Sequence, residues 1–190
     1  MNLNTIFFIG PQGSGKGTQA KLLAKKLDFF YWEMSTQIRK TKEKDPFFGK
    51  KVQSMIDQGI LLPDEMIEKI ISLFLTEIPA EKGIIFDGVP RRVGQAEFIF
   101  KLLKEQGRKK FLTLFINLPK EDSTKRLLKR AETEHRPDDT REKIIFRLKQ
   151  YEEDTLPVLD FLKQNSTFFE IDGTPNVETI QQKIVEDLGI

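Results

Sequence analysis

The side chains with the clearest chemical use lie in the glycine-rich segment Gly10–Thr18, whose sequence is GPQGSGKGT. An apolar run, Thr5–Ile9, precedes it, and residues 20–27 follow it with apolar side chains at helical spacing. The order is therefore strand, glycine loop and helix. Glycines let successive backbone N–H groups point at one centre, and the N-terminus of the following helix adds partial positive charge. The segment predicts a phosphate-binding loop.

Side chains of this loop predict how a nucleotide would bind. Lys16 is expected to reach the β and γ phosphates, and Thr18 to offer its hydroxyl to Mg²⁺. The strict pattern G-x-x-x-x-G-K-[ST] is missed by one residue, because Gly17 follows the lysine directly. An inert turn is the alternative, but the strand, the lysine and the helix are all in register for phosphate binding. The expected contacts to the donor phosphates are Gly13, Ser14, Gly15, Lys16, Gly17 and Thr18.

A second motif follows another apolar run, where residues 87–91 read Asp-Gly-Val-Pro-Arg. An acid at the carboxyl end of a parallel strand, as predicted for Asp87, can hold a water bound to Mg²⁺ beside phosphates on a neighbouring loop. Gly88 lets a ligand approach the backbone closely, and Arg91 can bind a phosphate through two parallel N–H groups. Alone, the motif also fits a tight turn with a surface arginine. Beside a phosphate loop, the functional interpretation is favoured.

Four arginines in the second half of the chain have spacings that indicate a bound anion. Arg126 and Arg130 lie one helical turn apart, so on a bare surface they would repel each other by about 0.2–0.5 kcal/mol. Arg136 follows six residues after Arg130 in a polar stretch, and Arg147 lies eleven residues further along. A polyphosphate between these side chains would explain the arrangement.

The elements that must position these residues alternate along the chain. Apolar runs suited to buried parallel strands are separated by segments with helical periodicity. This alternation predicts an α/β fold, a doubly wound parallel sheet of five strands with helices on both faces. Ligands in such sheets bind at the carboxyl ends of the strands, where both motifs would lie. The predicted strands are Thr5–Ile9, Phe29–Glu33, Gly83–Phe86, Phe111–Leu118 and Thr167–Ile171.

Two intervals interrupt this alternation. Residues 34–60 have the pattern of two short helices separated by Asp45-Pro46. Residues 130–139 form a polar, turn-rich stretch before a long helix that is predicted to start near Asp138. Both intervals are expected to be insertions over the upper edge of the sheet.

Composition limits the classes of function. The chain has 190 residues, enough for one substantial core, and 31 basic against 29 acidic residues leave a formal charge of +2. This balance gives no reason to expect a nucleic acid or membrane partner. The absence of cysteine excludes disulfides and cysteine-bound zinc. We therefore expect no structural zinc and a cytoplasmic location.

The motifs together resemble those of the adenylate kinase and nucleoside monophosphate kinase family. The loop spelling G-x-x-G-x-G-K-G-T matches, as does D-G-x-P-R followed four residues later by Gln95, with Val89 in place of an aromatic residue. Residues 130–148 fit the R-x₅-R-x-D-D-x₇-R-L pattern of short-lid members. Residues 57–65 resemble the family's D-x-G-x-[LI]-[VL]-x-D-E stretch, and residues 172–174 resemble its V-D-G-T turn.

This resemblance implies a P-loop NTPase-type fold forming a single kinase domain. The implied core comprises residues 1–32, 63–129 and 140–190. A small helical insertion that binds the nucleoside monophosphate would span residues 33–62, and a short lid would span residues 130–139. The implied activity is reversible, Mg²⁺-dependent phosphoryl transfer between ATP and AMP, giving two ADP, by a monomeric enzyme with ATP and AMP as its partners.

The resemblance also implies roles for particular residues. Arg126 and Gly173 would flank the base of ATP, Gln95 would bond the adenine of AMP, and Arg39 and Arg91 would hold the AMP phosphate. Thr18 and, through water, Asp87 would bind Mg²⁺. The implied catalytic residues are Lys16, Arg91, Arg130, Arg136 and Arg147. The implied acceptor contacts are Met34, Arg39, Ile60, Leu62, Gly88, Arg91, Gln95, Arg136 and Arg147.

The acceptor segment departs from the family pattern T-G-D-x-[LMF]-R. Counting back from Arg39 places Met34, Ser35 and Thr36 on its Thr, Gly and Asp. A thioether cannot replace a hydroxyl donor, although it can pack against a purine. Two alternatives therefore stay open: a kinase acting on UMP, CMP or another nucleoside monophosphate, and a catalytically weakened nucleotide-binding sensor of the same fold.

Overall fold

One or more helices separate successive strands in the computed structural model, which describes residues 4–58, 60, 62–134 and 140–190. The strands are β1 (Thr5–Ile9), β2 (Phe30–Glu33), β3 (Ile84–Asp87), β4 (Phe111–Asn117) and β5 (Thr167–Asp172). The helices are α1 (Lys16–Leu27), α2 (Met34–Lys44), α3 (Pro46–Asp57), α4 (Asp64–Leu75), α5 (Val93–Glu105), α6 (Lys120–Glu134), α7 (Arg141–Gln150), α8 (Val158–Asn165) and α9 (Val177–Leu188). A π-helical turn, Tyr151–Thr155, joins α7 to α8.

The sheet has five parallel strands in the order β2-β3-β1-β4-β5. The predicted parallel five-stranded α/β fold is confirmed, and each predicted strand is present with its ends shifted by at most one residue. From β1 the chain builds towards β2 and β3 on one side and towards β4 and β5 on the other. Such a reversal leaves a crevice at the carboxyl end of the central strand, and this is where the glycine loop leaves β1.

Helices cover both faces of the sheet because successive residues of β1 point to opposite sides. Phe7 packs in a buried cluster with side chains of α4, α5 and α8, and its ring stacks on Phe86 at 5.0 Å and on Phe100 at 5.2 Å. Ile6 and Phe8 pack in a second cluster with side chains of α1 and α9. Two apolar faces on one strand therefore fix both helical layers, and with them the start of the glycine loop.

The interval 34–60 contains the two predicted helices, α2 and α3. Asp45 caps α3, because its Oδ1 accepts the backbone N–H of Phe48 at 3.0 Å, and Pro46 occupies the first turn of the helix. A proline is well tolerated there, since no helical hydrogen bond needs its missing N–H. The Asp45-Pro46 pair thus ends one helix and starts the next, as predicted.

The helix after the second interval begins later than predicted. α7 starts at Arg141, not near Asp138, and Thr140 is its N-cap: the Thr140 side chain accepts the backbone N–H of Lys143 at 3.4 Å. A threonine side chain that bonds a first-turn N–H favours this start. Residues 135–139, which include Arg136, lie outside the described residues.

Within the described ranges 4–58, 60, 62–134 and 140–190, no helix combines the length and the apolar character that crossing a bilayer requires.

Candidate active site

The glycine loop passes from the end of β1 into the first turn of α1. Gly13 and Gly15 have φ angles of +81° and +88°, a region that residues with a Cβ rarely adopt, and Gly15 is the N-cap of α1. Ser123 of α6 donates its hydroxyl to the carbonyl of Gln12, which ties the loop to the neighbouring element. The hydroxyl of Ser14 is buried without a hydrogen-bond partner in the described part of the chain. The loop therefore has the backbone shape and an unused donor that an anion would engage.

Lys16 lies at the centre of a cluster of charges. Its Nζ donates to the carbonyl of Pro11 at 3.1 Å. Burial lowers the pKa of Lys16 to about 8, against the opposing effect of Asp87 and with a further lowering by Arg91, Arg130 and Arg147. The fold thus brings together basic side chains from the glycine loop, the turn after β3, α6 and α7.

The turn after β3 holds Arg91 in place through its own backbone. Arg91 Nε donates to the carbonyl of Gly88 at 3.0 Å, and the Arg91 N–H donates to Gln95 Oε1 at 2.9 Å. Burial lowers the pKa of Arg91, Asp87 opposes this shift, and Arg147 adds to it. A guanidinium held in a partly desolvated position next to other cations is suited to bind an anion such as phosphate.

Asp87 lies directly against the glycine loop. It ends β3, pairs in register with Phe8 of β1, and is 8% exposed. A Cβ added at Gly17 would lie 3.0 Å from Asp87 Oδ2, so this glycine permits the close approach. The same Oδ2 accepts the hydroxyl of Tyr31 at 2.7 Å. Tyr31 was not among the predicted site residues, because its partner lies 56 residues away and no local spacing relates the two.

These oxygens fit the requirements of Mg²⁺. No group of three or more His, Cys, Asp and Glu side chains within the described residues is arranged to hold a metal. Mg²⁺ does not need such a group, because it commonly binds through one or two protein oxygens together with phosphates and waters. The carboxylate of Asp87 next to the loop that carries Thr18 is a donor set of that kind.

Arg126 and Gly173 meet at the carboxyl ends of β4 and β5. Arg126 Nη2 donates to the carbonyl of Thr174 at 2.9 Å, and the Gly173 N–H donates to the carbonyl of Asn117 at 2.7 Å. Asp172 stabilises the turn by accepting the backbone N–H and the hydroxyl of Thr174, each at 2.9 Å. The two residues predicted to flank a base are therefore on one surface.

α6 and α7 are held together by a small apolar cluster of their own. Its buried members are Leu127 on α6 with Ile144 and Leu148 on α7. Leu127 lies three residues before Arg130, and Leu148 follows Arg147 directly. This packing positions the two arginines whose charges act on Lys16.

The residues predicted to contact the acceptor are spread over several elements, among them α2, the segment after α3 and the turn between β3 and α5. Met34 is buried at the start of α2, and a Cβ at Gly88 would lie 3.4 Å from Met34 Cβ, so the thioether residue packs beside this turn. Arg39 is exposed, and its Nη2 donates to Thr36 Oγ1, one turn earlier in the same helix, at 2.8 Å. The Thr36 hydroxyl donates in turn to Glu33 Oε2 at 2.6 Å.

Residues after α3 connect the acceptor interval to the turn after β3. Ile60 is 44% exposed, whereas Leu62 is buried. The carbonyl of Leu62 accepts Arg92 Nη1 at 3.3 Å, and Asp64 Oδ1 accepts Gln95 Nε2 at 2.9 Å. Asp64 and Arg92 were not among the predicted site residues, since their side-chain contacts become visible only once α4 and α5 pack together.

Comparison with known proteins gives one consistent result. A sequence model described as adenylate kinase matches residues 8–167. Adenylate kinase from Phocaeicola vulgatus is 37% identical over 183 residues, 96% of each chain. Adenylate kinase from Thermus thermophilus is 34% identical over 185 residues, 97% of each chain. Adenylate kinase from Cyanothece sp. is 38% identical over 186 residues, 96% of this chain and 95% of the relative.

Proposed function

The chain belongs to the adenylate kinase family, and on that premise we propose that it transfers the γ-phosphoryl group of ATP to AMP and catalyses the reverse reaction between two ADP. It is a nucleoside monophosphate kinase, a phosphotransferase. The observation that carries the proposal is a charged cluster at the glycine loop. Asp87 Oδ2 lies against Gly17 of this loop, and the pKa of Lys16 is affected by four further charges, those of Asp87, Arg91, Arg130 and Arg147.

ATP binds as the donor along the glycine loop. Backbone N–H groups of Gly13–Thr18 and the N-terminus of α1 receive its phosphates, and Lys16 reaches the transferred group. The unused Ser14 hydroxyl supports this assignment. The base lies against the surface that Arg126 and Gly173 form. Thr18 and, through water, Asp87 would hold Mg²⁺, which would neutralise negative charge on the phosphates when bound.

AMP binds as the acceptor on the opposite side of Arg91. Arg39 and Arg91 hold its phosphate, and Gln95 meets its base. Support comes from the packing that brings Met34 against Gly88 and joins Leu62 to the segment carrying Arg91. The remaining contacts proposed for the acceptor are Ile60, Leu62, Arg136 and Arg147.

Transfer needs alignment and charge stabilisation more than a strong base. An oxygen of the AMP phosphate attacks the γ-phosphorus in line, and the bond to the oxygen bridging the β and γ phosphates breaks, leaving ADP on both sides. The cations Lys16, Arg91, Arg130, Arg136 and Arg147 stabilise the charge on the transferred group. Closure of the insertion at residues 33–62 and of the lid at residues 130–139 excludes water, which would otherwise accept the phosphoryl group.

The oligomeric state and the cellular location of the enzyme can also be proposed. We expect a monomer because of the resemblance to the family, and a cytoplasmic location because the chain contains no cysteine. Sedimentation of the purified chain tests the monomer.

An assay of ADP formation with ATP and each of AMP, CMP, UMP and GMP tests the reaction and its acceptor. Arg91→Ala is expected to lower turnover with AMP by about 10³ or more, since one arginine at the transferred group is worth that order. Arg141→Ala is the matched control, because this exposed arginine at the start of α7 loses the same charge away from the cluster. Faster turnover with UMP or CMP than with AMP would contradict the acceptor assignment. ATP binding without ADP formation from any acceptor would point to a sensor.

A further inference from the structure

The side chain of Gln95 has only one orientation that satisfies both of its protein partners. Gln95 is 3% exposed, its Nε2 donates to Asp64 Oδ1 at 2.9 Å, and its Oε1 accepts the backbone N–H of Arg91 at 2.9 Å. A carboxylate only accepts hydrogen bonds and a backbone N–H only donates them. Turning the amide over would set the Gln95 NH₂ against the Arg91 N–H and the Gln95 carbonyl oxygen against the carboxylate. The amide therefore has a fixed polarity.

Asp64 can impose this polarity because its own carboxylate is held from several sides. Arg92 Nη1 lies 3.5 Å from Asp64 Oδ1 and donates to the carbonyl of Leu62 at 3.3 Å. Arg92 is anchored in turn by Asp154, whose Oδ1 lies 3.4 Å from Arg92 Nε. On the other side, a Cβ added at Gly94 would lie 3.1 Å from Asp64 Oδ2, so the helix backbone closes against the carboxylate.

The fixed amide still has hydrogen-bonding capacity for a ligand. An amide offers two N–H groups and two acceptor lone pairs, and the protein uses one of each. The remaining pair suits a base edge that presents an amino group beside a ring nitrogen acceptor, as adenine does. The anchored phosphate of the ligand fixes the position of the base. A base with a carbonyl beside a ring N–H would therefore place its carbonyl oxygen against the Gln95 oxygen and its ring N–H against the Gln95 NH₂. Hypoxanthine differs from adenine in this way while keeping the same ring shape.

We propose that Asp64 is a positioning residue that sets the acceptor specificity of the enzyme, by fixing the orientation of the Gln95 amide so that it selects a 6-amino purine over a 6-oxo purine. The inference rests on the proposed function, in which Gln95 meets the base of the acceptor. Asp64 itself contacts neither the base nor the reacting atoms.

The test compares AMP with inosine monophosphate in the full-length enzyme. The quantity measured is the ratio of kcat/KM for the two acceptors at saturating ATP and Mg²⁺, together with the ratio of their Kd values by calorimetry without ATP. Asp64→Ala is expected to lower the AMP preference about tenfold, the order of one bidentate base contact, and to leave the KM for ATP unchanged. Asp64→Asn is expected to keep most of the preference, because Arg92 holds an oxygen towards Gln95.

Glu65→Ala is the matched control, since this exposed neighbour removes the same charge from the first turn of α4. A purely structural role for Asp64 would lower the melting temperature in Asp64→Ala without changing the acceptor ratio, and that result would overturn the proposal. An unchanged ratio in Gln95→Ala would also overturn it, because the base contact itself would then be absent. Failure of the proposed function is a separate result: the unmodified enzyme would form no ADP from ATP and AMP.

Discussion

The donor and acceptor sides of the proposed site are built in different ways. On the donor side, the loop after β1 and the turn after β3 come from adjacent strands, and the packing of α6 on α7 brings two more arginines to Lys16. On the acceptor side, Arg39 is exposed on a helix of the insertion and bonds Thr36 one turn earlier. We infer from this difference that the proposed phosphate binding by the glycine loop depends on the core, whereas the proposed acceptor binding depends on where residues 33–62 place their side chains. Changes on the donor side should therefore act on kcat, and changes in the insertion should act on the KM for AMP.

The largest effect is expected from Lys16→Met on the donor side. Loss of this cation removes charge stabilisation at the transferred group, so kcat should fall by at least about 10³. The fold should persist, because a thioether chain fills the half-buried position without the desolvation cost of a charge. Steady-state kinetics measures the fall in kcat, and circular dichroism checks that the fold is retained. A decrease of less than tenfold in kcat would mean that the donor side is not organised around this lysine.

Arg39→Ala is expected to have the next largest effect, on the proposed acceptor side. Loss of a charge-assisted contact to phosphate should raise the KM for AMP about 10- to 100-fold, with the KM for ATP unchanged. Lys40→Ala, which removes the same charge from the next position of α2, should leave both KM values near those of the unmodified enzyme. Equal changes in the KM for ATP and for AMP in Arg39→Ala would remove the distinction between the two sides.

The pH dependence tests the electrostatics of the donor side. Burial and the neighbouring arginines lower the pKa of Lys16 to about 8, so the free enzyme loses this charge as the pH rises through that value. Because kcat/KM reports the free enzyme, its value for ATP should fall about tenfold per pH unit above pH 8. The unfolded chain retains the Lys16 proton up to about 10.5, so the Lys16 contribution to the free energy of unfolding should increase between pH 8 and 10.5. A flat profile of kcat/KM up to pH 10 would contradict the lowered pKa.

A smaller effect is expected from Tyr31→Phe, which removes the 2.7 Å hydrogen bond to Asp87 and leaves the ring in place. Since the hydroxyl orients a carboxylate that is proposed to act through water, kcat should fall about three- to tenfold. Tyr151→Phe is the control, because its buried hydroxyl has no hydrogen-bond partner in the described part of the chain. If both variants kept full activity, the orientation of Asp87 would not depend on Tyr31.

Local patterns in the sequence were sufficient for the sheet and for the position of the glycine loop between β1 and α1. The strands are short apolar runs, and Gly13, Gly15 and Lys16 depend on neighbours within one segment, so periodicity and spacing predict them. The start of α7 was misplaced because several polar residues could cap it, and Thr140 is the residue whose side chain bonds a first-turn N–H.

Contacts between distant segments could not be predicted in this way. Tyr31 and Asp87 are 56 residues apart, and Asp64 and Gln95 are 31 apart. Each pair becomes visible only when strands align or helices pack. For Gln95 the sequence predicts a contact with a base but gives no protein partner. The structure shows that Asp64 and the Arg91 N–H orient its amide.

³¹P NMR of the purified chain with ATP, AMP and Mg²⁺ distinguishes phosphoryl transfer between nucleotides from hydrolysis of ATP. The account predicts that two ADP appear for each AMP consumed, that added ADP regenerates ATP and AMP, and that inorganic phosphate does not accumulate on the same timescale. Release of inorganic phosphate in place of ADP from AMP, or no reaction while ATP binds, would contradict it.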